Sequence, residues 1–447
     1  MRPFLIAAVV LLVATAAVRT SIAQTKQKPY DPNQNMALDG TTAIKPKLPA
    51  DLPNPDRWRY TPGGRIKPGN MFDRFLVTTW VTPILFREED IGFGGGLAIT
   101  DIDFRNQGWR EFANIVASHS SKGQQTFRFD WRRWLHHRPI PEGGVIRDER
   151  TTISGGVEYS RTLTRRFFGF GSRTPVNAET SYTEEVARLH ARALLSLPDP
   201  GDDLLVSIGA TWEHHGLEKG RVTGVPSTDQ IFGQTFREAA GVNQLWLRGH
   251  VSFDTRDSIT NPYSGWRVGL TASVVPLQTN FDAIGAVVSL DASSTIQVPG
   301  LFHDGGDGTE DNPPTDVLSV GGFVSATAGD LPFYSLPRLG GDNTLRGFIP
   351  RRFADRVAAH GSLEYRLVVL PRGIRFTDTI RFERLGLAAF YDFGTVAGDL
   401  GALGRSKLLQ SYGLGVRIGL QREAVFRIDL GFSDEGAILT VVFGNSF

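Results

Sequence analysis

From residue 71 to residue 447, apolar and polar side chains alternate in short segments divided by Gly, Pro, Asn and Asp. In Tyr412 to Leu420, Leu414, Val416, Ile418 and Leu420 share one phase, while Gly413, Gly415, Arg417 and Gly419 share the other. Val425 to Phe432 repeats the pattern, with Phe426, Ile428, Leu430 and Phe432 opposite Arg427, Asp429 and Gly431. Leu245 to Asp254 sets Leu245, Leu247, Val251 and Phe253 against Trp246, Arg248, His250, Ser252 and Asp254, and Ala187 to Leu197 sets Leu189 and Leu195 against Arg188, His190 and Arg192. A period of two is that of a β-strand, whose successive side chains point to opposite faces. Soluble sandwiches alternate as well. Here, however, several segments carry two or three ionisable groups on the face opposite the apolar one, and they reach the ~10 residues a tilted strand needs to cross a bilayer. The pattern predicts a greasy outside and a wet interior.

Sixteen segments fit, at 74–86, 91–103, 111–120, 124–134, 151–162, 181–197, 203–217, 242–256, 264–276, 284–297, 317–329, 358–370, 385–396, 410–421, 424–433 and 437–447. Bacterial barrels favour an even number. With the N-terminus on the periplasmic side, the connections at 163–180, 218–241 and 330–357 fall outside, while those at 135–150 and 298–316 fall inside. The last segment ends on Phe447, with Leu439, Val441 and Phe443 in the same phase.

The beginning differs. Arg2, an apolar run from Phe4 to Val18 and Ser21-Ile22-Ala23 follow the charged, apolar, small-residue order of a secretory signal peptide, so residues 1–23 are expected to be cleaved on export. Residues 24–70 contain Pro29, Pro32, Pro46, Pro49, Pro53, Pro55, Pro62 and Pro68, and read as an irregular periplasmic leader. The barrel is expected over 71–447. No later run approaches eighteen apolar residues, so any membrane crossing must use strands. Cysteine is absent, which excludes disulfides and thiolate metal sites. A formal net charge of +1, from 48 basic and 47 acidic residues, offers no field to attract nucleic acid.

One connection is neither strand nor ordinary loop. Leu336 to Phe353, LPRLGGDNTLRGFIPRRF, combines Gly and Pro with Leu345, Phe348, Ile349 and Phe353, which a solvated loop would expose, and with arginines at 338, 346, 351 and 352. Alternation in the thirteenth segment leaves Phe390, Asp392 and Gly394 on the polar face, and Glu364 and Arg366 point the same way in the twelfth. A guanidinium in a partly dry interior needs a carboxylate. Asp392, Glu364 and Asp429 are available to the loop's arginines, with Gly394, Gly415 and Gly419 making room.

Gly340-Gly341 through Leu345-Arg346-Gly347-Phe348, then Gly361 to Arg366, resembles the loop-six signature of the outer-membrane assembly-factor superfamily that includes BamA, TamA and the transporters of two-partner secretion. Phe390-Tyr391-Asp392-Phe393-Gly394 is similar to its strand-thirteen F-x-D-x-G motif, and further matches are Phe253 to Asp257 with Asn261, Pro262 and Gly265, and Phe168 to Gly171. Over residues 71–447 the resemblance implies an all-β, sixteen-stranded transmembrane antiparallel barrel with a long inward-folded loop between strands eleven and twelve. It implies that Arg346, Gly347 and Phe348 form a latch whose arginine is held by Asp392, and that Phe447 is a terminal signal read during assembly. The 47 residues from Gln24 to Asn70 leave no room for the POTRA modules of better-known members.

The function implied is insertion of protein or lipid into the outer membrane, or translocation across it, by a monomeric barrel in the lipid bilayer. Unfolded outer-membrane proteins would be clients, and a separate periplasmic protein would be a partner. A passive pore or structural barrel and a lipid-active hydrolase stay open. Enzyme signals are weak. His119 and Ser120 are consecutive strand residues that point to opposite faces, and Gly92 to Gly96 lacks the Lys-Ser/Thr of a phosphate loop. The pairs His136-His137 and His214-His215 lack further ligands at helical spacing, and Asp304 to Asp311 departs from the calcium-loop spacing. No cofactor is expected.

Overall fold

A computed structural model describes residues 48–61, 78–88, 90–141, 144–301, 316–370, 384–419 and 425–443. Sixteen strands form one antiparallel sheet in strict chain order. They are β1 (Thr79–Glu88), β2 (Gly92–Asp101), β3 (Glu111–Ser120), β4 (Gln125–Trp134), β5 (Thr152–Phe167), β6 (Thr180–Leu197), β7 (Leu204–Lys219) and β8 (Val242–Asp254). They continue as β9 (Gly265–Gln278), β10 (Gly285–Val298), β11 (Asp316–Ala328), β12 (Val357–Leu370), β13 (Arg384–Ala397), β14 (Leu409–Gly419), β15 (Val425–Ser433) and β16 (Gly436–Phe443).

Each expected segment carries one of these strands. The fifth runs on to Phe167 rather than stopping at 162, because a bulge between Thr162 and Arg165 lets Arg165, Arg166 and Phe167 pair with Tyr182, Ser181 and Thr180. A bulge interrupts the two-residue period, so the pattern gave no sign of the continuation. Among the described residues no ladder joins β1 to β16. Pro83 fits an edge position for β1, since an edge strand need not donate on its free side.

The two faces differ as the alternation requires. Ile208, Leu414 and Leu439 lie on one face with 67%, 65% and 66% of their surfaces exposed. The other face carries the polar groups, including Glu364, Asp392 and Asp429, all buried. No described helix is long and apolar enough to cross a membrane, which says nothing about strands.

Two expectations about irregular chain need correction. Trp58–Thr61, inside the leader, pairs with Val145–Asp148, which pairs in turn with His137–Pro139, so the 135–150 connection contributes two strands of a small three-stranded sheet. Leu52, Trp58, Ile140 and Ile146 form its apolar cluster. Strands of three or four residues are too short for periodicity to reveal, and their stability comes from that cluster. The β7–β8 connection also holds two short helices, Thr228–Ile231 and Gly233–Ala239. The signal-peptide segment 1–23, the acidic stretch 304–311 and Phe447 lie outside the described residues.

Candidate functional site

The β11–β12 connection, residues 329–356, closes on itself where Arg338 and Leu339 pair with Ala354 and Phe353. Gly340 and Gly341 follow at φ values of 107° and 116°, which favour glycine, and Leu345 takes φ 48°, unusual for a branched side chain. Burial holds Leu345 in that conformation. With Leu339, Phe348, Phe353, Ala358, Val396 and Leu409 it forms a fully enclosed cluster, and each of its Leu, Phe and Val side chains contributes about 1.5–3 kcal/mol by leaving water.

That packing delivers Arg346, with no exposed surface, to β12, β13 and β15. Its Nε donates to Asp392 Oδ2 at 2.9 Å and its Nη2 to Asp392 Oδ1 at 2.8 Å, the paired geometry a planar fork prefers. Its Nη1 donates to Glu364 Oε2 at 2.5 Å and lies 3.5 Å from Asp429 Oδ2, and its Nη2 also donates to Ser362 Oγ at 3.1 Å. The Arg346 backbone N–H donates to Asp392 Oδ2 at 3.0 Å, and the guanidinium carbon sits 3.6 Å from the Phe390 ring centre. Burial alone would lower the Arg346 pKa, but the carboxylates of Asp392 and Glu364 outweigh it and raise it above the ordinary arginine range.

The carboxylates are shared. Glu364 also accepts from Arg366 at 2.8 Å and Arg417 at 2.9 Å, and Asp429 accepts from Arg417 at 2.5 Å and Arg427 at 3.1 Å. Arg427 also reaches the loop, its Nη2 donating to Asp342 O (2.9 Å) and Asn343 Oδ1 (3.0 Å). Four arginines and three carboxylates thus interlock, with loop carbonyls taking up the surplus cation. Close approach needs small residues: a Cβ on Gly347 would sit 2.4 Å from Phe432 O, and one on Gly431 would sit 2.4 Å from Arg346 O.

Arg352 makes a second anchor. It reaches Glu435 in the β15–β16 turn at 2.8 Å and donates to Thr174 Oγ1 at 2.9 Å and Thr174 O at 2.7 Å, while stacking on Phe168 and Phe353 at 4.1 and 4.4 Å. Gly171 N–H donates to Ala354 O at 3.0 Å. The Phe168-Gly-Phe-Gly171 motif therefore grips the loop from the β5–β6 side. Tyr334, whose ring stacks on His215 at 4.2 Å, ties the start of the loop to β7.

Arg346, Gly347, Phe348, Glu364, Phe390, Asp392, Gly394 and Asp429 are brought together; Gly394 approaches Leu339 Cδ1, and Gly415 lies beside Asp429. The Phe253 to Asp257 motif is not part of this assembly. Arg256 donates twice to Asp254, each at 2.9 Å, and Asp257 Oδ1 accepts from Tyr263 N at 3.0 Å, closing the β8–β9 turn at the other end of the sheet. Sequence reasoning passed over Ser362, Arg417 and Arg427 as partners. The signal was present, because alternation puts Arg417 and Arg427 in the phase of Asp429. The Arg352 clamp had no such signal, since its partners are far along the chain.

Residues 140–444 match the family model for the Omp85 superfamily domain, a narrower span than the resemblance at 71–447. No curated protein matches the chain. Among solved structures, BamA from Haemophilus ducreyi lacking POTRA domains 1-3 aligns with a TM-score of 0.49 and 12% identity, over 82% of this chain and 69% of that one. CdiB from Escherichia coli aligns with a TM-score of 0.52 and 11% identity, over 82% of this chain and 62% of that one. The chain thus spans less than two thirds of the CdiB chain's length, and the likeness to CdiB is one of fold.

Proposed function

This chain belongs to the Omp85 superfamily of outer-membrane β-barrel proteins, and we propose that its sixteen strands close into a barrel whose 329–356 loop is an internal latch. The superfamily consists of transporters and assembly factors rather than enzymes, and this chain is not an enzyme. The barrel assists insertion of protein clients into the outer membrane, or their passage across it, working where its first and last strands meet. The exposed apolar face meets lipid, since a soluble protein rarely exposes so continuous an apolar surface. In this reading residues 1–23 direct export, 24–70 lead into the barrel, 71–447 form it and Phe447 marks the terminal strand for assembly.

One observation carries the proposal: Arg346, buried with Asp392, Glu364 and Asp429, fixes the loop to β12, β13 and β15, next to the last strand. A loop held by interlocked charges couples that edge to the interior, and the missing β1–β16 ladder among the described residues supports a weak seam there. The test uses the purified full chain in liposomes with a urea-unfolded client barrel, following the client's folded gel mobility. Acceleration by wild type and loss of it in Arg346→Ala supports the reading. No acceleration by a well-folded wild type overturns it in favour of a passive pore.

A further inference from the structure

Beneath the start and end of the 329–356 loop, the polar face of β5–β10 encloses a cavity of ≈ 760 Å³, within the range of sites for small molecules. Its charges do not balance. Six arginines, at 165, 188, 192, 248, 338 and 351, line it with three glutamates, at 158, 184 and 213. The glutamates are already engaged: Glu184 by Arg165 at 2.7 Å and Arg351 at 3.5 Å, Glu158 by Arg188 at 3.1 Å, and Glu213 by Arg188 at 3.0 Å. Arg192, Arg248 and Arg338 have no carboxylate partner among the described residues. Arg192 donates only to Ser207 Oγ at 3.3 Å and Arg248 to Ser273 Oγ at 3.0 Å, while Arg338 donates to the Tyr334 carbonyl.

The register places two of these cations for joint work. Gly209 on β7 pairs with Arg192 on β6 and with Arg248 on β8, so the arginines stand two strand spacings apart, about 9–10 Å between backbones, on either side of a position with no side chain. Long guanidinium stems from such positions can converge above the glycine. Hydroxyls of Thr211, Thr271 and Ser289 line the same cavity. Arg338 faces it from the loop, and burial, with Arg351 nearby, lowers its pKa to about 10.

From this geometry we infer that the cavity binds a phosphate-type oxyanion, held between Arg192 and Arg248 and covered by Arg338. A tetrahedral phosphate carries up to two negative charges and oxygens enough for two forks and the neighbouring hydroxyl donors at once. The unbalanced positive field of these arginines raises the local concentration of such an anion. The site needs the β5–β10 wall and the loop; it does not need the sheet to close or a client to be handled. The oxyanion can be a lipid headgroup or a free phosphate, and the experiment separates them.

The full chain, folded in a zwitterionic detergent, is titrated calorimetrically with inorganic pyrophosphate and separately with dihexanoylphosphatidic acid. Saturable binding that weakens with salt is expected, and Arg192→Ala/Arg248→Ala should weaken it at least about tenfold. Arg128→Ala, whose guanidinium pairs with Asp130 at 2.9 Å outside the cavity, should bind as wild type does. Tighter binding of the phosphatidic acid assigns the lipid source, and equal or tighter binding of pyrophosphate assigns the free anion. Should the double variant fail to fold by gel mobility, Arg338→Ala on the loop replaces it, with a loss of binding again expected. Absence of saturable binding to folded wild type, undiminished binding in the variant, or tighter binding of oligoglutamate than of either phosphate probe would each overturn the assignment.

Discussion

Removing the Arg346 side chain is the perturbation whose cost the structure defines best. After Arg346→Ala, Glu364 keeps Arg366 and Arg417, and Asp429 keeps Arg417 and Arg427, so neither is stranded. Asp392 is different. Of its partners only Ser362 Oγ, at 2.6 Å, and the residue-346 backbone N–H, at 3.0 Å, remain, and its surface is 1% exposed. A buried carboxylate left without its cation costs roughly 3–5 kcal/mol, a large share of a total stability that is ordinarily about 5–15 kcal/mol. Because the cost comes from the orphaned charge, Arg346→Ala/Asp392→Ala should be less destabilised than the two single losses added together, with a coupling of about 2 kcal/mol or more. Urea unfolding of the liposome-inserted protein, read by gel mobility for wild type, both single variants and the double, closes the cycle. A single-variant loss under about 1 kcal/mol, the value of an exposed pair, or strictly additive losses would refute the claim that the loop is anchored through this pair.

Three further outcomes are expected. Gly431→Ala puts a methyl 2.4 Å from Arg346 O and 2.8 Å from Gly347 N, backbone atoms that cannot step aside, so a loss of ~1–3 kcal/mol and faster trypsin cleavage at Arg351 or Arg352 should follow. Gly249→Ala, with nothing within 4 Å, is the control that should stay silent in the same digestion. Arg352→Ala empties the grip on Glu435 and Thr174 at ~2–4 kcal/mol, and adding Glu435→Ala should cost little more; an additive double variant would show that the clamp is not one unit. Arg150→Ala removes donors to Asp254 O at 2.6 Å and Arg256 O at 2.7 Å, where the small three-stranded sheet abuts the ends of the large one. Tryptic cleavage after Arg57 or Arg59 should then quicken while the large sheet keeps its folded mobility, and an unchanged digestion pattern would mean that the small sheet stands without this tie.

The sheet was legible along the chain. Alternation is a local property, and a one-residue slip would turn Leu414, Leu430 and Leu387 inward and bury Arg417, Asp429 and Asp392 against the wrong medium, so strand number and facing were legible at all sixteen places. The polar phase also offered Asp392, Glu364 and Asp429 to an arginine of a half-apolar loop that has to bury its apolar side chains somewhere, and the resemblance named Arg346 and Asp392 among them. The remaining features have no local period. The three-stranded sheet joins residues 58–61 to 145–148 across a wide gap in sequence and rests on the cluster of Leu52, Trp58, Ile140 and Ile146. Arg352 finds Thr174 and Glu435 because three connections converge at one end of the sheet. The unbalanced arginines at 192 and 248 become neighbours only through the register of β6, β7 and β8. Each of these depends on which distant segments meet, a matter of loop closure and packing rather than of residue spacing.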